Sequence, residues 1–169
     1  MERVAIPLRN MGACIEMEDG HAPIHIYPSE QIIGCKQKLK VPSAQVKSAI
    51  LLAALYANSK TILSTDWITR NHTELMLDFF GCPINHNDKE IILNYGEITS
   101  RESLTIPGDF SSAAFLILAT LLAKNSQIII KDVGLNPTRT GFIKILQMMG
   151  GEITTTIDPN SSFEIQGTI

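Results

Sequence analysis

Phe80-Gly81-Cys82-Pro83-Ile84 has two counterparts in the same chain, Met11-Gly12-Ala13-Cys14-Ile15 and Met149-Gly150-Gly151-Glu152-Ile153. Their leading glycines stand at 12, 81 and 150, each 69 residues from the next. Every one of them follows an amphipathic run and precedes a strand-like run. Glycine at that place ends a helix, because it takes the left-handed conformation after the last turn without a Cβ clash. Repetition at a fixed period of this length marks a repeated folding unit.

Between the glycines the order of elements also recurs. Lys38–Val41 and Ser103–Ile106 read as strands, and Ala44–Asn58 and Ser111–Lys124 as apolar helices. Thr61–Ser64 and Gln127–Ile130 read as strands again. His72–Phe80 and Thr140–Met149 read as amphipathic helices, the second with Phe142, Ile145, Leu146 and Met149 on one face. Two strands close each unit, near 84–86 with 91–94 and near 152–156 with 163–166. The unit is therefore βαβαββ. The chain carries two of them, preceded by the last part of a third. Ala49-Ile50-Leu51-Leu52-Ala53-Ala54-Leu55-Tyr56-Ala57 leaves no polar face, so it is expected to be enclosed by other elements. The fold class is α/β, with buried helices inside repeated units. It is not a doubly wound fold, whose apolar elements are central parallel strands.

Composition narrows the function. Hydrophobic residues are 44% and charged residues 18% of the 169, which is too apolar for disorder. A net charge of −3 with no clustered basic stretch argues against nucleic acid. There is no glycine-rich phosphate loop, so neither ATP nor a dinucleotide is indicated. Cys14, Cys35 and Cys82 have no paired spacing and read as reduced thiols, which suits the cytoplasm. His21, His25, His72 and His86 have no metal-ligand spacing, so no metal is expected. The longest apolar run, 113–123, is too short to span a bilayer.

Met1 opens on a helix-like run that already ends at a repeat glycine, and the chain stops just after a unit is complete. It is expected to be a piece of a longer protein. Apolar faces left bare by missing units are expected to drive dimerisation.

One place in the chain offers chemistry. Ser43, in Val41-Pro42-Ser43-Ala44-Gln45-Val46-Lys47-Ser48-Ala49, stands immediately before a helix. Its hydroxyl and the free amides of Ala44 and Gln45 face out from the positive end of that helix, an arrangement that accepts a phosphate. The plainer alternative is that Ser43 only caps the helix. The second unit has Gly108-Asp109-Phe110 there. Asp109 would cap its helix but repel an anion.

Four stretches carry a family resemblance: Pro42–Ala49, Thr69-Arg70-Asn71-His72-Thr73-Glu74, Pro107-Gly108-Asp109-Phe110-Ser111-Ser112-Ala113-Ala114-Phe115, and Leu135-Asn136-Pro137-Thr138-Arg139-Thr140-Gly141. In this order they resemble the 3-phosphoshikimate 1-carboxyvinyltransferases, the 5-enolpyruvylshikimate-3-phosphate synthases of the shikimate pathway. The resemblance implies six βαβαββ units in two domains. It implies transfer of the enolpyruvyl group of phosphoenolpyruvate to the 5-hydroxyl of shikimate 3-phosphate, with release of phosphate and no cofactor. It makes residues 1–104 the end of the first globular domain and 105–169 the first unit of the second. Ser43, Ala44 and Gln45 then bind shikimate 3-phosphate, with Gln45 reaching toward phosphoenolpyruvate, and Arg70 is a further phosphate ligand. Arg70 has an alternative, an ion pair with Glu74 at a helical spacing of four. Lys47 and Ser48 line the cleft, and Arg139 is structural. The family's acid and base groups match nothing here. No catalytic residue is assigned, and the chain alone is expected to be inactive. A UDP-sugar enolpyruvyl transferase and a non-catalytic repeat module of the same fold are the competing readings.

Overall fold

The computed structural model describes residues 1–99 and 103–169. The chain divides into two compact units, Met1–Ser100 and Arg101–Ile169.

Unit one opens with α1 (Glu2–Asn10), β1 (Cys14–Glu18) and β2 (His21–Tyr27), the two strands forming an antiparallel hairpin. A whole βαβαββ unit follows: β3 (Lys36–Lys38), α2 (Ala44–Ala54), β4 (Thr61–Ser64), α3 (His72–Phe79), β5 (Ile84–His86) and β6 (Glu90–Leu93). Its sheet has the order β3-β4-β6-β5. Only β3 and β4, joined through α2, run parallel. The core is Met11, Leu39, Val46, Ile50, Leu51, Leu63, Leu77, Ile91 and Leu93 with smaller neighbours. Burial of these side chains against one face of the sheet is the main favourable term holding the layers together.

Unit two contains α4 (Phe110–Leu122), β7 (Val133–Gly134), α5 (Gly141–Met148), β8 (Thr156–Ile157) and β9 (Gln166–Thr168). Its sheet runs β7-β9-β8. Gly108 bridges Val133 in parallel, which reduces the first strand of the unit to one residue. With that bridge the order is the same as in unit one: a parallel pair, then two antiparallel steps. The expected strand over 103–106 is irregular, and the last three strands lie several residues further along than expected. Ile130 does exchange two backbone hydrogen bonds with Ile169, at 2.9 Å each. Asp132, at φ 56°, then kinks the chain before the ladder resumes at Val133. A left-handed residue inside a strand leaves the next amide off the ladder, as in a bulge.

The repeat glycines share one geometry. Gly12, Gly81 and Gly150 have φ of 95°, 76° and 93°. Each donates its amide to the residue three back: Arg9, Asp78 and Gln147. The following residue donates to the carbonyl five back: Ala13 to Leu8, Cys82 to Leu77 and Gly151 to Leu146. This is the Schellman closure, which satisfies carbonyls that the helix end would leave bare.

Enclosure, expected of both apolar helices, holds for most of α2 but not for α4. In α2 the residues Val46, Lys47, Ile50, Leu51 and Ala54 are buried, while Leu52 is half exposed. In α4 only Phe110, Ala113 and Ile117 are buried, and Phe115 and Leu122 are each 78% exposed. The physical reason is coverage: a single short sheet and α5 shield one side of α4, and among the described residues no further layer of its own unit reaches the other. Burial is thus not intrinsic to the repeat, whereas strand order and helix closure are.

Candidate anion site

Ser43 sits in extended backbone at φ −128°, ψ 110°, and accepts a hydrogen bond from the Val46 amide at 3.3 Å. Its carbonyl accepts the first intrahelical bond, from the Lys47 amide at 3.1 Å. Among the described residues, nothing accepts from the amides of Ala44 and Gln45. Those two donors stand at the positive end of the α2 dipole, where an anion is favoured. The capping role of Ser43 is therefore real. It leaves the two preceding amides free rather than competing with them.

The stretch Thr69–Glu74 is brought against the first turns of α2. Lys47 Nζ lies 2.5 Å from Glu74 Oε1, both side chains being only 3% exposed. One residue later on α2 and one residue earlier on α3, Ser48 Oγ and Thr73 Oγ1 share a hydrogen bond of 2.6 Å. Lys47 thus corrects the sequence reading: it is a buried partner of Glu74 rather than a cleft-lining cation. Glu74 is thereby taken, so the alternative ion pair of Arg70 with Glu74 is not formed. Arg70 is exposed and has no ion pair among the described residues. Gln45 is also exposed, and its Oε1 accepts from Arg3 of α1 at 3.0 Å.

Arg3 was not legible as a partner of Gln45. It borders a cleft of about 580 Å³ with an apolar floor that includes Leu39, Val46 and Ile50. Lys36, Lys38 and Lys40 stand along the same cleft. Lysines at alternate positions of a strand share one side of the sheet, and that spacing was the available signal. Lys38 is partly neutralised by Asp66 at 2.7 Å.

Unit two shows what happens at the matching helix end. Asp109 caps α4, its Oδ2 accepting from the Ser112 amide at 2.9 Å and from the Ser112 hydroxyl at 3.1 Å. Arg139 donates to Asp109 Oδ1 at 3.2 Å and also contacts Ser111 Oγ. The Ser112 amide first, and then other hydrogen bonds and the Arg139 charge, hold the Asp109 carboxyl below its usual range. Arg139 follows Arg70 by 69 positions, as Gly150 follows Gly81. Here the arginine is satisfied by a carboxylate supplied by the chain. No group of three or more metal-ligating side chains exists among the described residues.

Fold and site define a repeat-built α/β chain with a serine-capped helix end in one unit and a self-neutralised one in the other. The chain belongs to the EPSP synthase (3-phosphoshikimate 1-carboxyvinyltransferase) family, whose model matches residues 1–167. It is 46% identical over 172 residues to the 3-phosphoshikimate 1-carboxyvinyltransferase of Streptococcus uberis, covering 98% of this chain and 40% of that protein. The Acidithiobacillus ferrooxidans protein of the same description is 45% identical, over 92% of this chain and 36% of its own length. A solved EPSP synthase from Acinetobacter baumannii superposes with a TM-score of 0.86 at 38% identity, over 99% of this chain and 38% of that one. The chain therefore spans about two-fifths of the length of the relatives it matches.

Proposed function

We propose that this chain carries the shikimate 3-phosphate-binding part of an enolpyruvyl transferase, without the groups that perform the transfer. The observation that carries the reading is the contrast between the two units. Asp109 and Arg139 neutralise each other at the end of α4. At the end of α2 the carboxylate is replaced by Ser43, and Arg70 is left unpaired among the described residues. An anionic ligand supplying the missing charge would be held by the Ala44 and Gln45 amides and by a bidentate guanidinium. A phosphate monoester fits that need. Gln45, tethered by Arg3, lies beside it and is the residue expected to face phosphoenolpyruvate.

The transfer requires protonation of the phosphoenolpyruvate methylene carbon, removal of the proton of the attacking hydroxyl, and departure of phosphate. Among the described residues, no pair of groups positioned for this accompanies the candidate anion site. Unit one is read as the end of one globular domain of the whole protein and unit two as the beginning of the next. The bare side of α4 makes the isolated chain prone to dimerise. Three unpaired thiols suit a reducing cytoplasm.

The test is calorimetric titration of the chain with shikimate 3-phosphate beside a UDP-sugar, together with a phosphate-release assay with phosphoenolpyruvate. Saturable binding of shikimate 3-phosphate alone is expected, with no phosphate release until the remainder of the family sequence is supplied. Preference for the UDP-sugar, or turnover by the chain alone, would overturn the reading.

A further inference from the structure

We propose that the buried Lys47–Glu74 ion pair is a positioning device, which fixes the first turn of α2 against the first turn of α3 and so sets the anion-binding amides relative to Arg70. The inference rests on the reading of that helix end as a phosphate site. Two polar ties join the helices at one level, the ion pair at 2.5 Å and the Ser48–Thr73 hydrogen bond at 2.6 Å. Both lie within a few residues of Ser43 and Arg70.

The fold does not need these ties. By helix caps, Lys47 and Ser48 of α2 correspond to Ala113 and Ala114 of α4. By the 69-residue period, Thr73 and Glu74 of α3 correspond to Phe142 and Ile143 of α5. Ala113 and Ile143 are buried in the core of unit two, and Phe142 packs against it. The same strand order and the same helix closure are thus reached there with an apolar contact.

Burying two charges is costly, and exchanging a buried pair for apolar side chains of similar volume is often neutral or stabilising. Here the cost is compounded, because Glu74 Oε2 is buried with no hydrogen-bond partner. What an ion pair adds over an apolar contact is direction. Nζ and Oε1 must meet at a fixed distance, whereas packed methyl groups tolerate sliding and rotation of one helix over the other. The unit whose helix end must meet an external ligand has the directional tie. The unit whose helix end is neutralised by its own Asp109 has the apolar one.

The experiment measures inorganic phosphate and shikimate 3-phosphate affinity beside thermal melting for the whole chain. The variants are Lys47→Ala/Glu74→Ile, which copies unit two, Lys47→Met/Glu74→Leu, which keeps the volume filled, Lys47→Arg, which keeps the pair, and Arg70→Ala. Both double variants are expected to melt at or above the wild-type temperature while binding roughly tenfold or more weakly, the scale of one lost charge-assisted contact. Lys47→Arg should restore most of the affinity. If a double variant binds as the wild type does while Arg70→Ala binds weakly, the positioning role is wrong and the site stands. If both double variants melt well below the wild type, the pair is structural and the proposal fails. If the wild type binds neither ligand, or Arg70→Ala binds as tightly, the phosphate-site reading fails and takes this inference with it.

Discussion

Arg139 reaches back across unit two to the carboxylate of Asp109, 3.2 Å away, at the N-terminus of α4. The residue that ends one connection thus neutralises the residue that begins the first helix. The equivalents of both residues in unit one are Arg70 and Ser43, and there the helix is capped by a hydroxyl instead of a carboxylate. The same scaffold therefore presents a helix end neutralised by its own chain in unit two and a serine-capped one, without that ion pair, in unit one.

Arg70→Ala is expected to weaken shikimate 3-phosphate binding by about 1.5–3 kcal/mol, the range for a hydrogen bond to a charged group. Because Arg70 is exposed and bonds nothing else among the described residues, melting should be unchanged. Calorimetry beside thermal melting reads both. Unchanged affinity would remove Arg70 from the site.

Ser43→Asp should convert the serine-capped helix end into the self-neutralised type. The carboxylate would cap α2 and draw in Arg70, so stability should hold or rise by roughly 0.3–1 kcal/mol from the helix dipole. Phosphate binding should fall sharply through like-charge repulsion. A variant that binds phosphate as well as the wild type would show that the ligand lies elsewhere.

Gln45→Ala releases Arg3 from its 3.0 Å hydrogen bond without opening a cavity, since Gln45 is exposed. Stability should change by less than about 0.5 kcal/mol, as for most surface substitutions. Turnover, measured once the remaining family segments are supplied, should drop more than shikimate 3-phosphate affinity does. A parallel loss in both would mean that Gln45 only holds the first substrate.

Asp109 gives a pH signature. Its folded pKa is depressed, so it stabilises the fold at neutral pH and loses that contribution as pH falls from the usual aspartate range through the depressed value. Asp109→Ala should cost about 1 kcal/mol at pH 7 from loss of the cap. The gap between wild type and variant should close in acid. A gap independent of pH would deny the carboxylate its capping role.

The three repeat glycines should differ when mutated. An alanine Cβ at Gly12 would stand 2.7 Å from the Gln31 carbonyl oxygen, at Gly81 3.1 Å from Thr99 Oγ1, and at Gly150 nothing lies within 4 Å. All three pay the left-handed strain of roughly 1–2 kcal/mol. The order of lost stability should be Gly12→Ala, then Gly81→Ala, then Gly150→Ala. Thermal melting of the three variants checks it, and a reversed order would mean that the backbone relaxes around the clash.

The sequence by itself determined the repeat, its period, the helix ends at Gly12, Gly81 and Gly150, and the position of Ser43 before α2. These are local features. A glycine required at positive φ and a serine required at a helix start leave their mark within a few residues. Tertiary structure decided the rest. Whether Glu74 meets Arg70 four residues before it or Lys47 far along the chain depends on how α2 and α3 cross, and the buried partner won. Arg3 meets Gln45 because α1 packs beside α2, a contact between distant segments. The exposure of α4 could not be read from its apolar sequence, because hydrophobicity states what a helix must avoid and not whether anything in its own unit covers it. The ladder of unit two moved along the chain because Asp132 takes a left-handed turn that strand propensity does not encode.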